Sequence, residues 1–470
     1  DYRGGSTSLV INDGDYGALG VSNSNNEPKS RWHGASWVDK RDRLWFFGGI
    51  HRNTVTNTVA WINDLWVYDP ASDVFTWMGG QPEIGGSGKY GTKGVPSAAN
   101  VPGARSSSAD WVDEEGNFWL FGGYENFEYN NDLWTYNPVT LEWTWVSGNS
   151  FQNTPGTYGQ QGVSSPDNII GSRRYTDAWV GKDGKIWMFG GQGVDARARL
   201  GSLNDLWQYD PSTNEWTWIH GSDSVNSRGN YGVKGVADPD NLPPPRYGHA
   251  TWVDDSGNLW MMGGLGDILD EDDVLIRDQL NDLWKFDVRK RVWTWVGGSD
   301  QIVADAVNGT QGVFSENNVI SGRERIVAFD SNDKSLWLFG GRQENTNSLG
   351  DFWEIKFTPG ETVFDLDEDN VSQNEFKIDF EEPWAEDYQV QVSENEQFSS
   401  LLFDQTMNQN EVTVPGLQPG SMYYFRINAI NDIGQSGFFE EMGRVLTLPA
   451  SPEFLGPDLL ISSISPTTAT

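Results

Sequence analysis

Ile186-Trp187-Met188-Phe189-Gly190-Gly191, then Asn204-Asp205-Leu206-Trp207-Gln208-Tyr209-Asp210-Pro211, then Trp216-Thr217-Trp218: these three runs decide the fold. The first lacks polar alternation, which predicts a strand buried on both faces. Its glycine pair lets the backbone turn where a side chain would clash. Asp-Pro punctuates a turn, and tryptophans two residues apart share one face of a further strand.

The pattern recurs along the chain. Gly-Gly closes an aromatic run five times, at Gly48-Gly49, Gly122-Gly123, Gly190-Gly191, Gly263-Gly264 and Gly340-Gly341. The Asn-Asp-Leu-Trp run starts at Asn63, Asn131, Asn204 and Asn281, and its fifth copy departs to Gly350-Asp351-Phe352-Trp353. Trp-Thr-Trp follows at Trp143, Trp216 and Trp293, with Phe75-Thr76-Trp77 as the variant. Between repeats runs a link, Tyr-Gly-x-x-Gly-Val, with an arginine ten residues after the valine. It joins Tyr90 to Arg105, Tyr158 to Arg173 and Tyr231 to Arg246, and in the fifth copy Asn308 replaces the tyrosine ahead of Arg323.

These motifs resemble the kelch family over residues 1–358, which implies a β-propeller of four-stranded blades. One more link stands near the N-terminus, from Tyr16 to Arg31, preceded by Ser8-Leu9-Val10-Ile11. The last repeat has no Trp-Thr-Trp. Five links, five glycine pairs and one displaced strand balance if the N-terminal strand completes the fifth blade, giving a closed five-bladed propeller with few exposed edges.

From about Glu361 the pattern changes to half-buried strands, Phe376-Lys377-Ile378-Asp379-Phe380 and Tyr388-Gln389-Val390-Gln391-Val392. Leu417-Gln418-Pro419-Gly420-Ser421-Met422-Tyr423 then resembles the E–F region of a fibronectin type III domain, which implies a β-sandwich over 361–448 with Tyr423 as its tyrosine corner. The Pro- and Ser/Thr-rich residues 449–470 read as a linker or the start of another immunoglobulin-like domain. The fold class is all-β throughout. The combination resembles modular exported surface proteins of Bacteroidota-type bacteria.

Bulk composition narrows the function. Against 32 basic residues stand 67 acidic ones, a formal charge of −35. That field repels phosphate backbones and anionic lipid, so nucleic acid is not an expected partner. No apolar run approaches the ~20 residues that span a bilayer, so no direct membrane insertion is expected. The absence of cysteine excludes disulfides, thiol nucleophiles and thiolate zinc sites. A start at Asp1 fits export through a signal peptide, and hence an extracellular or cell-surface location.

No chemistry-bearing constellation stands out. The four histidines are scattered, and no nucleophile elbow, phosphate loop or His-Glu-x-x-His helix is present. The expectation is a non-enzyme without cofactor or metal. It acts as a binding or adhesion module for a protein or glycan on a surface, or as a structural subunit or exported passenger of a secretion or assembly machinery. Candidate ligand contacts are Trp61, outside the repeat template, and the repeated Arg31, Arg105, Arg173, Arg246 and Arg323. Those arginines either line the channel as a cationic ring or pair with the aspartate of Asn-Asp-Leu-Trp to fix blade to blade.

Overall fold

The computed structural model describes residues 13–449, apart from 54–57, 255, 270–273, 302–305, 314, 316, 331–335, 344–347, 357–362, 367–369, 382–384, 432–433 and 436–442. The strand expected at Ser8-Leu9-Val10-Ile11 and the tail beyond residue 449 lie outside the described residues. Among the described residues there is no α-helix, and no helix long and apolar enough to cross a membrane.

The first repeat is a four-stranded antiparallel meander: an inner strand Ala35–Val38, a Gly-Gly strand Leu44–Arg52, an Asn-Asp strand Val59–Asp69 and an outer Trp strand Val74–Gly79. The second repeats it with Ala109–Val112, Phe118–Phe121, Leu133–Asn137 and Glu142–Ser147. The third uses Asp177–Val180, Ile186–Val194, Leu200–Asp210 and Glu215–His220. The fourth uses Ala250–Val253, Leu259–Leu269, Leu275–Asp287 and Val292–Gly297. The fifth glycine pair follows a strand of a three-stranded sheet, Val327–Asp330, Leu336–Phe339 and Phe352–Ile355.

The cores lie between successive repeats rather than within them. One cluster joins Trp37, Trp45 and Phe47 to Phe118, Trp134 and Trp143 of the next repeat. The next two clusters step forward in the same way, from Trp111 and Trp119 to Ile186 and Trp207, and from Trp179 and Trp187 to Leu259 and Trp284. Trp37 lies flat on Phe118, with ring centroids 5.2 Å apart and planes 4° from parallel. Each such aromatic buries about 200 Å², so the tryptophans account for much of the burial. The expectation that both faces of every Gly-Gly strand are buried fails in the first and fifth repeats, and in the fifth Phe339 is 47% exposed. Leu44 is 44% exposed, whereas its counterparts Phe118, Ile186 and Leu259 are at most 1% exposed, because no preceding sheet covers it among the described residues.

The glycine pairs and the links join one repeat to the next. Gly190 sits at φ +60, and a Cβ there would stand 2.7 Å from the Arg246 carbonyl oxygen of the following repeat. Gly122 meets the Arg173 carbonyl at the same 2.7 Å. Each of the first four links straps the outer Trp strand of the repeat it precedes: the second glycine donates to the last tryptophan, with Gly20 to Trp77 at 2.8 Å and Gly162 to Trp218 at 2.7 Å. In these four links an asparagine five residues before the arginine locks the strap. Asn168 Nδ2, for example, reaches the carbonyls of Val163 at 3.0 Å and Trp216 at 2.8 Å.

The chain divides into two compact units, 1–328 with 339–352, and 329–338 with 353–470. In the second, strands Val363–Asp365, Glu375–Glu381 and Glu411–Pro415 form one sheet. A second sheet is built on Leu401–Met407, Asp387–Ser393 and Met422–Asn431. Phe376, Ile378, Val390, Val392, Tyr423 and Phe425 are buried together in its core. The Tyr423 hydroxyl accepts the Gln418 backbone N–H at 2.8 Å, which is the tyrosine corner expected from the Leu-x-Pro-Gly run.

Candidate ligand-binding site

The five repeated arginines are not a solvent-facing cationic ring. Each forks onto the aspartate of its own repeat: Arg31 on Asp64, Arg105 on Asp132, Arg173 on Asp205, Arg246 on Asp282 and Arg323 on Asp351, with N–O distances of 2.5–2.8 Å. Further donors are spent on backbone. Arg173 Nε reaches the Gly171 carbonyl at 3.1 Å, and Nη1 reaches Gly190 at 2.8 Å. In the first four repeats the aspartate also accepts the Trp indole N–H and the link Tyr hydroxyl, as Asp205 does from Trp207 at 2.7 Å and Tyr158 at 2.6 Å. A buried charge pair is tolerable only when so fully hydrogen-bonded. For Asp64, burial acts to raise its pKa, but Arg31 together with the Tyr16 and Trp66 hydrogen bonds outweighs that and the carboxyl is held below the usual range.

These arginines nevertheless position a site. The second residue after each, His33, Ser107, Tyr175, Gly248 and Arg325, sits in the left-handed region with φ between 53 and 64. Their backbones form a ladder across the repeats. Ser107 N–H donates to His33 at 2.9 Å, Tyr175 to Ser107 at 2.9 Å, Gly248 to Tyr175 at 3.3 Å and Arg325 to Gly248 at 2.7 Å. Arg325 Nη1 then reaches back to His33 Nε2 at 3.0 Å. A non-glycine residue held at positive φ is strained by roughly 1–3 kcal/mol, and strain of that kind clusters at functional sites.

Beside this ladder lies a cavity of about 240 Å³ whose lining includes Arg174, Tyr175, Tyr247, Glu324, Arg325 and Arg342. Arg277, Gln279 and Leu265 complete the wall. The Tyr175 and Tyr247 rings stack with centroids 5.8 Å apart. Arg174 lies 4.0 Å over the Tyr124 ring and donates twice to Gln192 Oε1, at 3.0 and 2.7 Å. Arg277 pairs with Asp267, which also takes the Ser202 hydroxyl at 2.6 Å. Burial, then Arg325, Arg174 and Arg342, pushes His33 down to about 4, so its imidazole is neutral at neutral pH. Since a guanidinium only donates, Nε2 accepts from Arg325 and the proton sits on Nδ1.

The cavity wall is incompletely satisfied. Glu324 Oε2 and Arg325 Nε are buried atoms with no hydrogen-bond partner, and their mutual distance of 3.6 Å is an ion pair too long for a hydrogen bond. Along the same stretch of the second, third and fourth repeats, Ser107 Oγ, Asp177 Oδ2 and both ring nitrogens of His249 are also unpartnered. Burial, with Arg246, pushes His249 down to about 3. Native proteins leave few such groups, and each asks for an explanation.

Trp61 is half-buried, not a free exposed face. Its indole N–H donates to Ser106 Oγ at 3.1 Å, and its ring meets Tyr124 edge-on at 5.8 Å. Through Tyr124 it adjoins Arg174, so it stands at the margin of the same cluster. Sequence reasoning missed Arg174, Tyr175, Tyr247, Glu324, Arg325 and Arg342. A signal for most of them existed: each invariant arginine is followed by a dipeptide that changes from repeat to repeat, Trp32-His33, Ser106-Ser107, Arg174-Tyr175, Tyr247-Gly248 and Glu324-Arg325. Among the described residues no group of three or more His, Asp or Glu side chains comes together as a metal site.

Comparison with known proteins adds two modules. The kelch motif matches residues 180–217, and the fibronectin type III domain matches residues 361–442. Protein sidekick-2 of Gallus gallus is 39% identical over 77 residues, 16% of this chain and 4% of that protein's length. A solved structure described as "Structure of YjhT" is similar at a TM-score of 0.45 and 14% identity, covering 76% of this chain and 86% of that one, a likeness too distant to carry an argument. Kelch and fibronectin type III modules together point to a protein-interaction module.

Proposed function

We propose that this chain is a non-catalytic binding module, secreted through a signal peptide or held at a cell surface, in the manner of exported modular proteins of Bacteroidota-type bacteria. It recognises a protein or glycan at the cavity beside the backbone ladder. Its propeller covers 1–358 as five blades, closed by the strand at residues 8–11. The fibronectin-like domain over 361–448 acts as a spacer. One observation carries the reading. The frame of the site is invariant from repeat to repeat, whereas the side chains it presents, Arg174, Tyr175, Tyr247, Glu324 and Arg325, differ at every step. A structural array has no use for that variation, but a recognition surface does. The stepwise ladder and the Arg325–His33 contact support ring closure.

The alternative, a structural subunit or exported passenger, is favoured by one observation. A groove of about 640 Å³ on the first repeat is walled largely by apolar side chains, among them Val38, Leu44, Phe46 and Phe75. A closed fifth blade or an assembly partner would cover it.

The intact protein and a Tyr175→Ala variant, each applied to a glycan array and to surface-protein extracts, test the choice. A partner held by the parent and lost by the variant is expected. Silence in both screens, with light scattering showing self-assembly, would establish the structural reading instead.

A further inference from the structure

We propose that the cavity takes a small organic carboxylate, an inference that rests on the recognition role argued above. Four arginines, Arg174, Arg277, Arg325 and Arg342, line it. Glu324 and the Arg277-bound Asp267 oppose them, leaving a local formal charge of two positives (4 − 2) in a chain of net charge −35. Concentrating scarce cations at one place costs self-repulsion and desolvation, which an anionic ligand would relieve.

The fork geometry favours a carboxylate. A guanidinium presents parallel N–H groups that match two carboxylate oxygens. Arg325 is ordered at the cavity wall before any ligand arrives. His33 Nε2 fixes Nη1 at 3.0 Å and the Tyr175 hydroxyl accepts from Nη2 at 3.2 Å, while Nε keeps an N–H without a partner. Being neutral, His33 orients the arginine without adding a charge of its own. A side chain ordered before the ligand arrives loses less entropy on binding.

The remaining wall sets the body of the ligand. The stacked Tyr175 and Tyr247 rings and Leu265 offer an apolar side. About 240 Å³ has room for roughly eight waters at ~30 Å³ each, which suits a molecule the size of one sugar ring or smaller. Glu324 in the same wall repels a second negative charge, which disfavours phosphate relative to a singly charged carboxylate.

The test is a charge series on one body. D-glucuronate, D-glucose and D-glucosamine, with acetate and inorganic phosphate alongside, are titrated calorimetrically into the intact protein at fixed ionic strength. Glucuronate should bind about tenfold or more tighter than glucose, with glucosamine weakest. Arg325→Gln and Arg342→Gln should each abolish that preference. Arg342 lies outside the ladder, so its variant keeps the test open if loss of Arg325 disturbs folding, with circular dichroism as the control.

Equal binding of glucuronate and glucose, or phosphate binding tighter than glucuronate, would overturn the carboxylate assignment. So would failure of both glucuronate and acetate to bind. In each of these cases the recognition role survives if Tyr175→Ala still loses a partner found on the array or in the extracts, and falls with it if the partner is unaffected.

Discussion

Asp177 shows how the residues of the inner strands depart from the repeat. The first, second and fourth repeats place Ala35, Ala109 and Ala250 at the same position of the inner strand. Its Oδ2 has no hydrogen-bond partner, and burial, with the Asp110 charge adding to it, pushes the carboxyl up to about 7. A folded-state pKa above the unfolded value means the native state binds the proton more readily. Stability from this group is therefore present at low pH and lost as pH rises from about 4 to about 7. Asp177→Asn should remove the penalty. Because the side chain keeps partial solvent contact, the gain at pH 8 is on the order of 1–2 kcal/mol rather than the full shift, falling toward zero near pH 4. Urea midpoints at pH 8 and pH 5 check this, and a gain that does not shrink at pH 5 would contradict it.

Among the elements, the Gly-Gly turn carries the most constraint, for two separate reasons. Left-handed φ alone costs a side chain roughly 1–2 kcal/mol. At Gly190 a Cβ would also stand 2.7 Å from the Arg246 carbonyl and 2.8 Å from the Leu203 carbonyl, both backbone atoms that cannot swing away. At Gly235, in a link, φ is +79 and nothing lies within 4 Å. Gly235→Ala should thus cost about 1 kcal/mol, whereas Gly190→Ala should cost at least twice that and loosen the contact between the third and fourth repeats. Denaturation followed by tryptophan fluorescence measures both, and equal losses would show that the carbonyl approach is unimportant.

Across the whole molecule, the field decides how an anion reaches the cavity. At 10 mM salt the screening length is about 30 Å, so a ligand feels much of the net charge of −35 and is repelled. At 150 mM the length is about 8 Å and the local arginines dominate. The association rate of glucuronate should rise over that range, opposite to the behaviour of an isolated basic patch. Stopped-flow fluorescence at the two salt concentrations reads the sign directly.

The amino-acid sequence by itself determined the repeating strands, the glycine turns, the link that ends in arginine and the Tyr423 corner. Each of these is a local pattern whose spacing reflects contacts made again in every repeat. Even the arginine–aspartate pairing was one of two arrangements it allowed. Only the tertiary structure chose between them, because burial leaves a guanidinium no stable state except beside a carboxylate that accepts both its forks. It also decided that the first four links strap the repeats they precede, and that Arg174, Tyr247, Arg325 and Arg342, from three repeats, share one cavity. Those residues occupy positions where the repeats differ, so no periodicity marks them as partners. The ladder of backbone hydrogen bonds brings the first three together, and Arg342 joins them through its backbone pairing with Glu324.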